Sequence, residues 1–434
     1  MNFLYFAYGS NLWPPQMCGG CASARAIGTG VVEGWQVIYD TPGADGTAKA
    51  NLREATGSEV HGVVYELDRS DRQELDLAEP GYTPFELDVR VDDGRAIEAL
   101  TYRYEPEGTG ALPADWYVSL VIAGARHHGL PNSYISSRLS VAADSEPGVS
   151  GLRPASVDDL PAMQKILSSA LSAGTDRYSI HPGDLAWWVW HDDPRYPDRV
   201  SYWLIPDVVI LVIDAASNEI DVFAAPGRDR IPVIEWAQRR LRGQGEVALV
   251  ADSDDHLIEY LSGAGYQPGH VNRRYQWDLE SVGVPHPELP DGWELRHVMG
   301  EHEADERRRA SHAAFQSTMD PEMHLRRYLR FMRSPVYDPM RDLVAVSPDG
   351  RIASFMIWWP DPSGIAQIEP FGTHPEFQRV GLGRALIHYG LHTMLEAGMA
   401  QCRVVTDEPR TDATAFYESV GFQDVGRLRS WGKS

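Results

Sequence analysis

Short apolar segments separated by turn residues characterise the first third of the chain. An apolar run at residues 3–7 leads directly into a Gly-Ser-Asn turn, and further strand-like segments lie at residues 60–67 and 85–91. Between these two, residues 75–82 predict a short helix that ends at a Pro-Gly turn, with Glu79 directly before the proline. Strands joined by such short turns predict a small, strongly curved β-sheet.

Two segments rich in proline and glycine interrupt the pattern, one at residues 142–153 and the other at residues 282–293. Segments of this composition between patterned regions are typical of domain boundaries. They divide the chain into three predicted domains, over residues 1–142, 151–281 and 292–434. The total length of 434 residues is in accord with this division, because domains commonly hold about 100–200 residues.

The second and third segments share one pattern. Each begins with a short predicted strand followed by a helical pattern, and each closes with an apolar strand ahead of a Gly-aromatic pair, Gly265-Tyr266 in one and Gly421-Phe422 in the other. This similarity predicts an internal duplication of one mixed α/β unit. The predicted fold class is therefore mixed α/β (α+β), with a small curved β-sheet domain followed by two α/β domains.

The composition is that of a globular protein, with 43% hydrophobic and 23% charged residues. The net charge of −23 argues against a nucleic-acid partner and against binding to anionic membrane surfaces, because both need a basic patch. We find no signal peptide and no run of eighteen apolar residues. These features predict a cytoplasmic protein that does not bind membranes, and they leave its oligomeric state open.

Three cysteines are too few for a disulfide scaffold. Cys18 and Cys21 form a Cys-x-x-Cys pair, but no second pair is present to complete a zinc site, so we expect no metal. A redox role for this pair is one alternative. Cys402 lies in an apolar segment that predicts a buried strand.

The most informative chemical signal lies near the C-terminus, where residues 378–384 have the sequence Gln-Arg-Val-Gly-Leu-Gly-Arg. The pattern predicts a turn that opens a helix, and Gly381 and Gly383 remove side chains where backbone N–H groups must face a ligand. Unpaired N–H groups and the helix dipole both favour negative charge there, so the loop suits a pyrophosphate. Further along, Tyr417 lies on a second predicted helix that ends at Gly421.

Together, in this order, the two motifs resemble the GNAT superfamily of N-acetyltransferases. The resemblance implies acetyl-CoA as co-substrate and places the acid that protonates the departing CoA thiolate on Tyr417. Glu369 is the predicted general base, with a water-mediated path as the alternative, whereas His374 precedes a proline and is predicted to be a turn residue. The predicted CoA-binding residues are Thr373, Gln378, Arg379, Val380, Gly381, Leu382, Gly383 and Arg384. The two arginines of this set would either neutralise phosphates or be solvated surface residues.

The middle segment lacks these signals. When the two Gly-aromatic pairs are aligned, Leu261 takes the place of Tyr417, and residues 225–230 occupy the loop position without a Gly-x-Gly pattern. We predict a degenerate copy, which serves as a scaffold or as a substrate-side half. The tandem arrangement resembles mycothiol synthase in architecture.

The N-terminal segment carries Tyr-Gly-Ser-Asn-Leu at the end of its first predicted strand and Leu-Asp-Leu-Ala-Glu at residues 75–79. Both motifs resemble the γ-glutamylcyclotransferase (AIG2-like) family, and residues 21–24 fit a further block of that family, which supports a structural role for Cys21. The resemblance implies that Glu79 transfers the proton while the substrate's own amine closes a ring, which yields 5-oxoproline and a free amine without a metal. The predicted substrate-binding residues are Tyr8, Gly9, Ser10, Asn11 and Leu12.

These resemblances lead to a bifunctional hypothesis. The N-terminal domain would cleave a γ-glutamyl amide, and the C-terminal domain would acetylate an amine, so the expected partners are small-molecule amines or γ-glutamyl amines. In the alternative, only the acetyltransferase is active and the N-terminal domain is a substrate-recognition module. A third hypothesis treats the chain as a non-enzymatic acyl-CoA sensor, and the presence of Tyr417 speaks against it.

Overall fold

The computed structural model describes residues 2–92, 94–174, 180–191, 200–214, 217–408 and 410–433. The N-terminal part is built around a closed five-stranded β-barrel. Its elements are β1 (Asn2–Ala7), α1 (Pro14–Gly20), β2 (Arg25–Pro42), β3 (Ala48–Asp68), α2 (Arg72–Ala78), β4 (Thr83–Val91), β5 (Ala96–Arg103), α3 (Asp115–His127) and α4 (Asn132–Tyr134). The strand order is β1-β3-β2-β4-β5, and β1 closes the barrel by pairing in parallel with β5.

The small curved sheet that the sequence predicts is therefore a closed barrel, and its two long strands make the closure possible. β2 has 18 residues and β3 has 21, and their pairing carries three register shifts. Such bulges bend a strand and increase its twist, so that one strand can pair with different neighbours along its length. Closure brings the ends of β1 and β5 together, and the turn after β1 lies at this point.

The remainder of the chain forms one twelve-stranded sheet from two similar halves. The middle half contains β6 (Arg153–Pro154), α5 (Leu160–Ser172), α6 (Pro182–His191), β7 (Val200–Ile205), β8 (Val209–Asp214), β9 (Glu219–Ala224), α7 (Ile231–Arg240), β10 (Glu246–Ala251), α8 (Asp255–Gly263) and β11 (Gln267–Asp278). The C-terminal half contains β12 (Glu294–His297), α9 (Ala304–Ala314), α10 (Pro321–Met332), β13 (Asp342–Val346), β14 (Ile352–Trp359), β15 (Ile365–Thr373), α11 (Leu382–Glu396), β16 (Gln401–Asp407), α12 (Thr411–Val420) and β17 (Gln423–Gly432). None of the helices in these described ranges is both long and apolar enough to cross a membrane.

The two halves exchange their last strands. The sheet order is β12-β13-β14-β15-β16-β11-β17-β10-β9-β8-β7-β6, so that β11 of the middle half pairs with β16, and β17 of the C-terminal half pairs with β10. β11 brings Tyr275 to 5.8 Å from the ring of Tyr417 and Trp277 to 5.4 Å from the ring of Phe422. The boundary predicted at residues 282–293 thus separates two sequence repeats, but the sheet runs across it.

Gly421 provides a test of this exchanged packing. Its φ is +123°, and a Cβ at this position would lie 2.7 Å from Cζ3 of Trp277 on the exchanged strand. We expect Gly421→Ala to lower the free energy of unfolding by about 2–4 kcal/mol, because positive φ costs roughly 1 kcal/mol and overpacking adds the rest. Thermal and urea unfolding measure the loss.

Gly398→Ala is the matched control for that substitution. Gly398 also has a positive φ, of +82°, but a Cβ there would meet no atom within 4 Å. Gly398→Ala should therefore lower the free energy of unfolding only by the cost of the positive φ, about 1 kcal/mol. Equal losses in the two variants would show that the Trp277 contact contributes nothing.

Candidate active sites

The predicted carboxylate and the predicted turn of the N-terminal domain meet at the end of the barrel. Glu79 directly follows α2, and residues Ser10–Leu12 form a short 3-10 turn after β1. The side-chain amide of Asn11 donates hydrogen bonds to Oε1 of Glu79 and to the hydroxyl of Tyr5, each over 2.9 Å. Sixty-eight positions of sequence separate Asn11 from Glu79, and the closed barrel brings them into contact.

The environment of Glu79 favours its neutral form. Burial raises the pKa of this carboxyl group to about 7, although the hydrogen bond from Asn11 acts in the opposite direction. The tyrosines beside it are affected as well, since burial and the nearby Glu79 carboxylate raise the pKa of Tyr5 and of Tyr8. A carboxyl group with a pKa near neutrality can both accept and return a proton, as general acid–base catalysis requires.

The residues of the turn differ in what they offer to a ligand. Tyr8 and Leu12 are buried in the core, and the Tyr8 hydroxyl donates to the backbone oxygen of Tyr102 over 2.8 Å. Gly9 is tightly packed, because a Cβ there would lie 3.2 Å from Cβ of Ala50. The backbone N–H of Leu12 donates to the backbone oxygen of Gly9 over 3.0 Å, and the Ser10 backbone N–H donates to the Tyr117 hydroxyl.

Sequence motifs did not point to the tyrosines that surround this turn. The hydroxyl of Tyr117 accepts a hydrogen bond from the backbone N–H of Ala50 over 3.1 Å, and the hydroxyl of Tyr82 donates to the backbone oxygen of Ala50 over 2.6 Å. The only sequence signal was Tyr82 directly after the Pro-Gly turn. Tyr117 belongs to α3, and only barrel closure places it at the site.

In the C-terminal half, two neighbouring strands separate and open a cleft. β15 and β16 pair in parallel only where residues 365–367 face residues 401–403. Beyond these pairs the strands diverge around a cleft of 770 Å³. Of the residues predicted from the sequence, Glu369, Thr373, Gln378, Arg379, Gly381, Leu382, Gly383, Arg384 and Tyr417 line it. Val380 is not among the lining residues, and 52% of its surface is exposed.

The glycine loop has the geometry that the sequence predicted. Gly381 precedes α11 in the left-handed conformation, with φ of +91°. A Cβ on Gly383 would lie 3.2 Å from Oγ1 of Thr373, so glycine permits close packing there. The Gln378 side chain donates to the backbone oxygen of Thr373 over 3.2 Å. The N-terminus of a fifteen-residue helix therefore faces the cleft with its unpaired N–H groups.

The arginines and the histidine of this region have distinct positions. Arg384 donates to the backbone oxygen of Ser419 over 2.8 Å and to its Oγ over 3.1 Å, which ties the loop helix to α12. Arg379 is exposed at the edge of the cleft and itself has a positive φ of 65°. His374 accepts a hydrogen bond at Nδ1 from the backbone N–H of Glu376, so it caps the following turn, in agreement with its predicted turn position.

Glu369 and Tyr417 face the same cleft and influence each other. Burial and the nearby Asp184 raise the pKa of Glu369 to about 8. Burial and the nearby Glu369 carboxylate raise the pKa of the Tyr417 phenol. The Tyr417 ring is held by Phe371, at 6.3 Å between ring centroids, and by Phe416, at 5.5 Å.

Asp184 does not line the cleft, but it influences Glu369, and the sequence interpretation missed it. It lies in the first turn of α6, in the middle half, where its Oδ2 accepts a hydrogen bond from the backbone N–H of His181 over 2.8 Å. Burial raises its pKa to about 7. The middle half therefore contributes a buried carboxyl group next to Glu369, and no local motif marks it.

The equivalent cleft in the middle half is smaller and contains an ion pair. Its cavity measures 220 Å³ and lies beside residues 225–230, which precede α7. Arg230 and Asp254 form an ion pair that lines this cavity. Leu261, which takes the place of Tyr417, is completely buried. That this half is a degenerate copy stays a prediction.

Comparisons with known families match both ends of the chain. The AIG2-like family matches residues 59–138, and the acetyltransferase (GNAT) family matches residues 305–422. The first match begins after the Tyr8–Leu12 turn, so this turn lies outside it. Between them lies the middle half, which neither match includes.

Individual relatives agree with these matches. A γ-glutamylcyclotransferase from Bos taurus is 29% identical over 145 residues, which covers 31% of this chain and 75% of the relative. A mycothiol acetyltransferase from Thermomonospora curvata is 27% identical over 213 residues, which covers 48% of this chain and 71% of the relative. Among solved structures, a tandem GNAT protein from the clavulanic acid biosynthesis pathway is 18% identical with a TM-score of 0.47, and covers 64% of this chain and 97% of that chain. On the two family matches, this chain carries an AIG2-like domain in its N-terminal part and a GNAT-family domain in its C-terminal part.

Proposed function

We propose that this protein is a bifunctional enzyme, which cleaves γ-glutamyl amides to 5-oxoproline and a free amine, and transfers an acetyl group from acetyl-CoA to an amine. The observation that supports it best is that each predicted set of residues converges on one place. Asn11 contacts Glu79 in the barrel, and the glycine loop lines one cleft with Glu369 and Tyr417. We further propose that the enzyme acts in the cytoplasm on small molecules.

In the first reaction, the free α-amine of the γ-glutamyl group attacks its own γ-carbonyl carbon. The new C–N bond closes the five-membered ring, and the bond to the leaving amine breaks. Glu79 accepts the proton from the attacking amine and donates it to the leaving amine, so it ends each cycle unchanged. Backbone N–H groups of the Tyr8–Leu12 turn stabilise the negative charge that develops on the carbonyl oxygen.

In the second reaction, a neutral amine attacks the thioester carbonyl of acetyl-CoA. The C–N bond forms, the C–S bond breaks, and the CoA thiolate leaves. Glu369 accepts the proton of the attacking amine, and the Tyr417 hydroxyl donates a proton to the thiolate. The raised pKa of Tyr417 favours the phenol over the phenolate at neutral pH, as a proton donor requires.

Glu369→Gln tests the identity of the base. With a pKa of about 8, Glu369 as the base would make the rate of acetyl transfer rise with pH and level off above about 8. The glutamine variant should lose this dependence and about 10²-fold in kcat, in the range for general-base catalysis. Release of CoA, followed across pH, measures both effects.

Glu376→Gln is the control, because Glu376 is an exposed carboxylate in the turn that follows β15 and pairs with Arg351. It should retain the wild-type rate and profile. A Glu369→Gln enzyme with an unchanged pH profile would contradict Glu369 as the base and favour the water-mediated path.

A mass-spectrometric screen of γ-glutamyl amines, with and without acetyl-CoA, tests the proposal as a whole. Loss of a γ-glutamyl group followed by gain of an acetyl group on the same compound would establish two linked reactions. Acetylation without 5-oxoproline from any compound would favour the alternative, in which the N-terminal domain is a recognition module. Neither product from any compound would contradict both.

A further inference from the structure

A further cavity lies between the middle half and the C-terminal half of the sheet. It measures 640 Å³, which is within the range of small-molecule sites. The middle half contributes wall residues from α5, from the segment before α6 and from β11, and the C-terminal half contributes wall residues from β15, β16 and β17. Because β11 and β17 are the exchanged strands, the cavity forms only when both halves are present.

Strand β16 directs polar side chains toward this cavity. Successive side chains of a strand point to opposite faces of the sheet. Cys402 and Val404 are buried in the core that α11 and α12 cover, so Gln401 and Arg403 lie on the other face and line the cavity. Apolar residues usually fill the covered face of a central strand, so polar side chains there indicate a space for a polar ligand.

A row of polar side chains crosses three adjacent strands at this point. Arg403 pairs in register with Gln367 on β15 and with Gln276 on β11. The Nε of Arg403 donates a hydrogen bond to Oε1 of Gln276 over 3.1 Å. Arg274 lies two residues before Gln276 on the same strand, and it lines the cavity as well. Two guanidinium groups, one from each half, therefore face the same space.

The wall of the cavity has a positive charge. Among the lining residues that the structure describes, Arg274 and Arg403 are charged, and none is an aspartate or a glutamate. Burial lowers the pKa of His181, another lining residue, to about 4, and the nearby Arg403 acts in the same direction. His181 is therefore neutral near pH 7. Guanidinium groups bind carboxylates through paired N–H donors, so this wall favours an anionic group.

The cavity begins where the acetyl-transfer cleft opens. The last register pair between β15 and β16 joins Gln367 to Arg403, and both residues line the cavity. The next residues of the two strands, Ile368 and Val404, line the cleft, and Val404 lines the cavity as well. An acceptor whose amine enters the cleft at this point would have its remaining part beside the two arginines.

We propose that Arg274 and Arg403 bind a carboxylate of the acceptor amine in the acetyl-transfer reaction. This inference rests on the proposed acetyl transfer and names the substrate class of that reaction, namely amines that also carry a carboxylate. The exchanged strand β11 then determines specificity, because it places an arginine of the middle half beside the cleft of the C-terminal half.

The test compares amines that carry a carboxylate with the corresponding carboxamides, which have nearly the same shape without the charge. The probes are amino acids and dipeptides, each as the free acid and as the C-terminal amide. CoA release is measured for the full-length wild type, Arg403→Met, Arg274→Met and Arg403→Lys. We expect each methionine variant to lower kcat/KM for the acid by about 10- to 100-fold, mainly through KM, because hydrogen bonds to a charged group are lost. The amide should change little, and Arg403→Lys should recover part of the activity on the acid.

Arg429→Met is the matched control, because Arg429 lies on β17 of the same sheet, pairs with Asp252 and is not a lining residue of the cavity. It should leave the rates with acid and amide unchanged. A purely structural role of the two arginines predicts equal losses on acid and amide, together with a lower melting temperature. Equal losses on both, or no loss on either, would overturn the inference.

The wild type separates failure of this inference from failure of the proposed function. Acetylation of amines that lack a carboxylate, and of none that carries one, would overturn the inference and leave acetyl transfer intact. Acetylation of no amine, either among these probes or in the mass-spectrometric screen, would overturn the proposed acetyl transfer and this inference with it.

Discussion

Glu79→Gln is expected to abolish 5-oxoproline release, with a loss of about 10³-fold or more in kcat, because the proton on the attacking amine loses its acceptor. The amide can still accept the hydrogen bond from Asn11, which spans 2.9 Å in the wild type. The arrangement of the turn should therefore persist. Release of 5-oxoproline, quantified by chromatography, measures the loss, and full activity in this variant would refute the role of Glu79.

Two controls distinguish a loss of proton transfer from a loss of folded protein. Glu107→Gln changes an exposed carboxylate of the same domain and should leave the rate intact. Acetyl transfer by the same preparation should also be unaffected, because Tyr417 and its cleft belong to the C-terminal half. A preparation that loses both reactions would indicate misfolding.

Thermal unfolding of Glu79→Gln provides an independent check on the carboxyl group. The folded state raises the pKa of Glu79 to about 7, so its neutral form contributes stability that is present at low pH and is lost as pH rises through about 7. Glutamine remains neutral at every pH. The melting temperature of the variant relative to the wild type should therefore increase as pH rises from 4.5 to about 7, and level off above that pH.

Tyr417→Phe is the other substitution with a large expected effect. We expect kcat for acetyl transfer to fall by about 10²-fold or more, because the CoA thiolate would leave without a proton donor. The KM for acetyl-CoA should change little, because phenylalanine preserves the contacts of the ring with Phe371, Phe416 and Tyr275. Detection of free CoA with a thiol reagent measures the rate.

Tyr389→Phe serves as the matched control for Tyr417. Tyr389 lies on α11 in the same half and is not among the residues that line the cleft. It should retain the wild-type rate. An unchanged rate in Tyr417→Phe would contradict the assignment of the acid, and a loss confined to KM would indicate a role in binding.

The exchange of β11 and β17 affects how these experiments must be designed. Tyr275, on β11, donates a hydrogen bond to Oε1 of Glu418 over 3.0 Å, next to Tyr417 on α12. A truncated C-terminal half would lack β11 and leave the edge of β16 unpaired. The full chain is therefore the right material for both reactions.

The local features of this chain could be predicted from the sequence because short-range chemistry determines them. Gly381 and Gly383 provide the turn that opens α11, which depends only on residues close to them in the chain. Likewise, Glu79 lies before a Pro-Gly turn, and α2 ends there as the sequence predicts. The repeated pattern in the middle and C-terminal segments likewise revealed two similar halves. In each case, the residues that produce the signal are neighbours along the chain.

The tertiary structure alone decided which of these features meet. Long-range strand pairing closes the barrel and brings Asn11 to Glu79, and it exchanges β11 with β17 between the halves. Asp184 beside Glu369, and Arg274 beside Arg403, also come from the half that appeared degenerate. Periodicity records which face of an element is apolar, but not which distant element covers that face. Contacts between halves depend on that second choice, so they could be identified only in the folded protein.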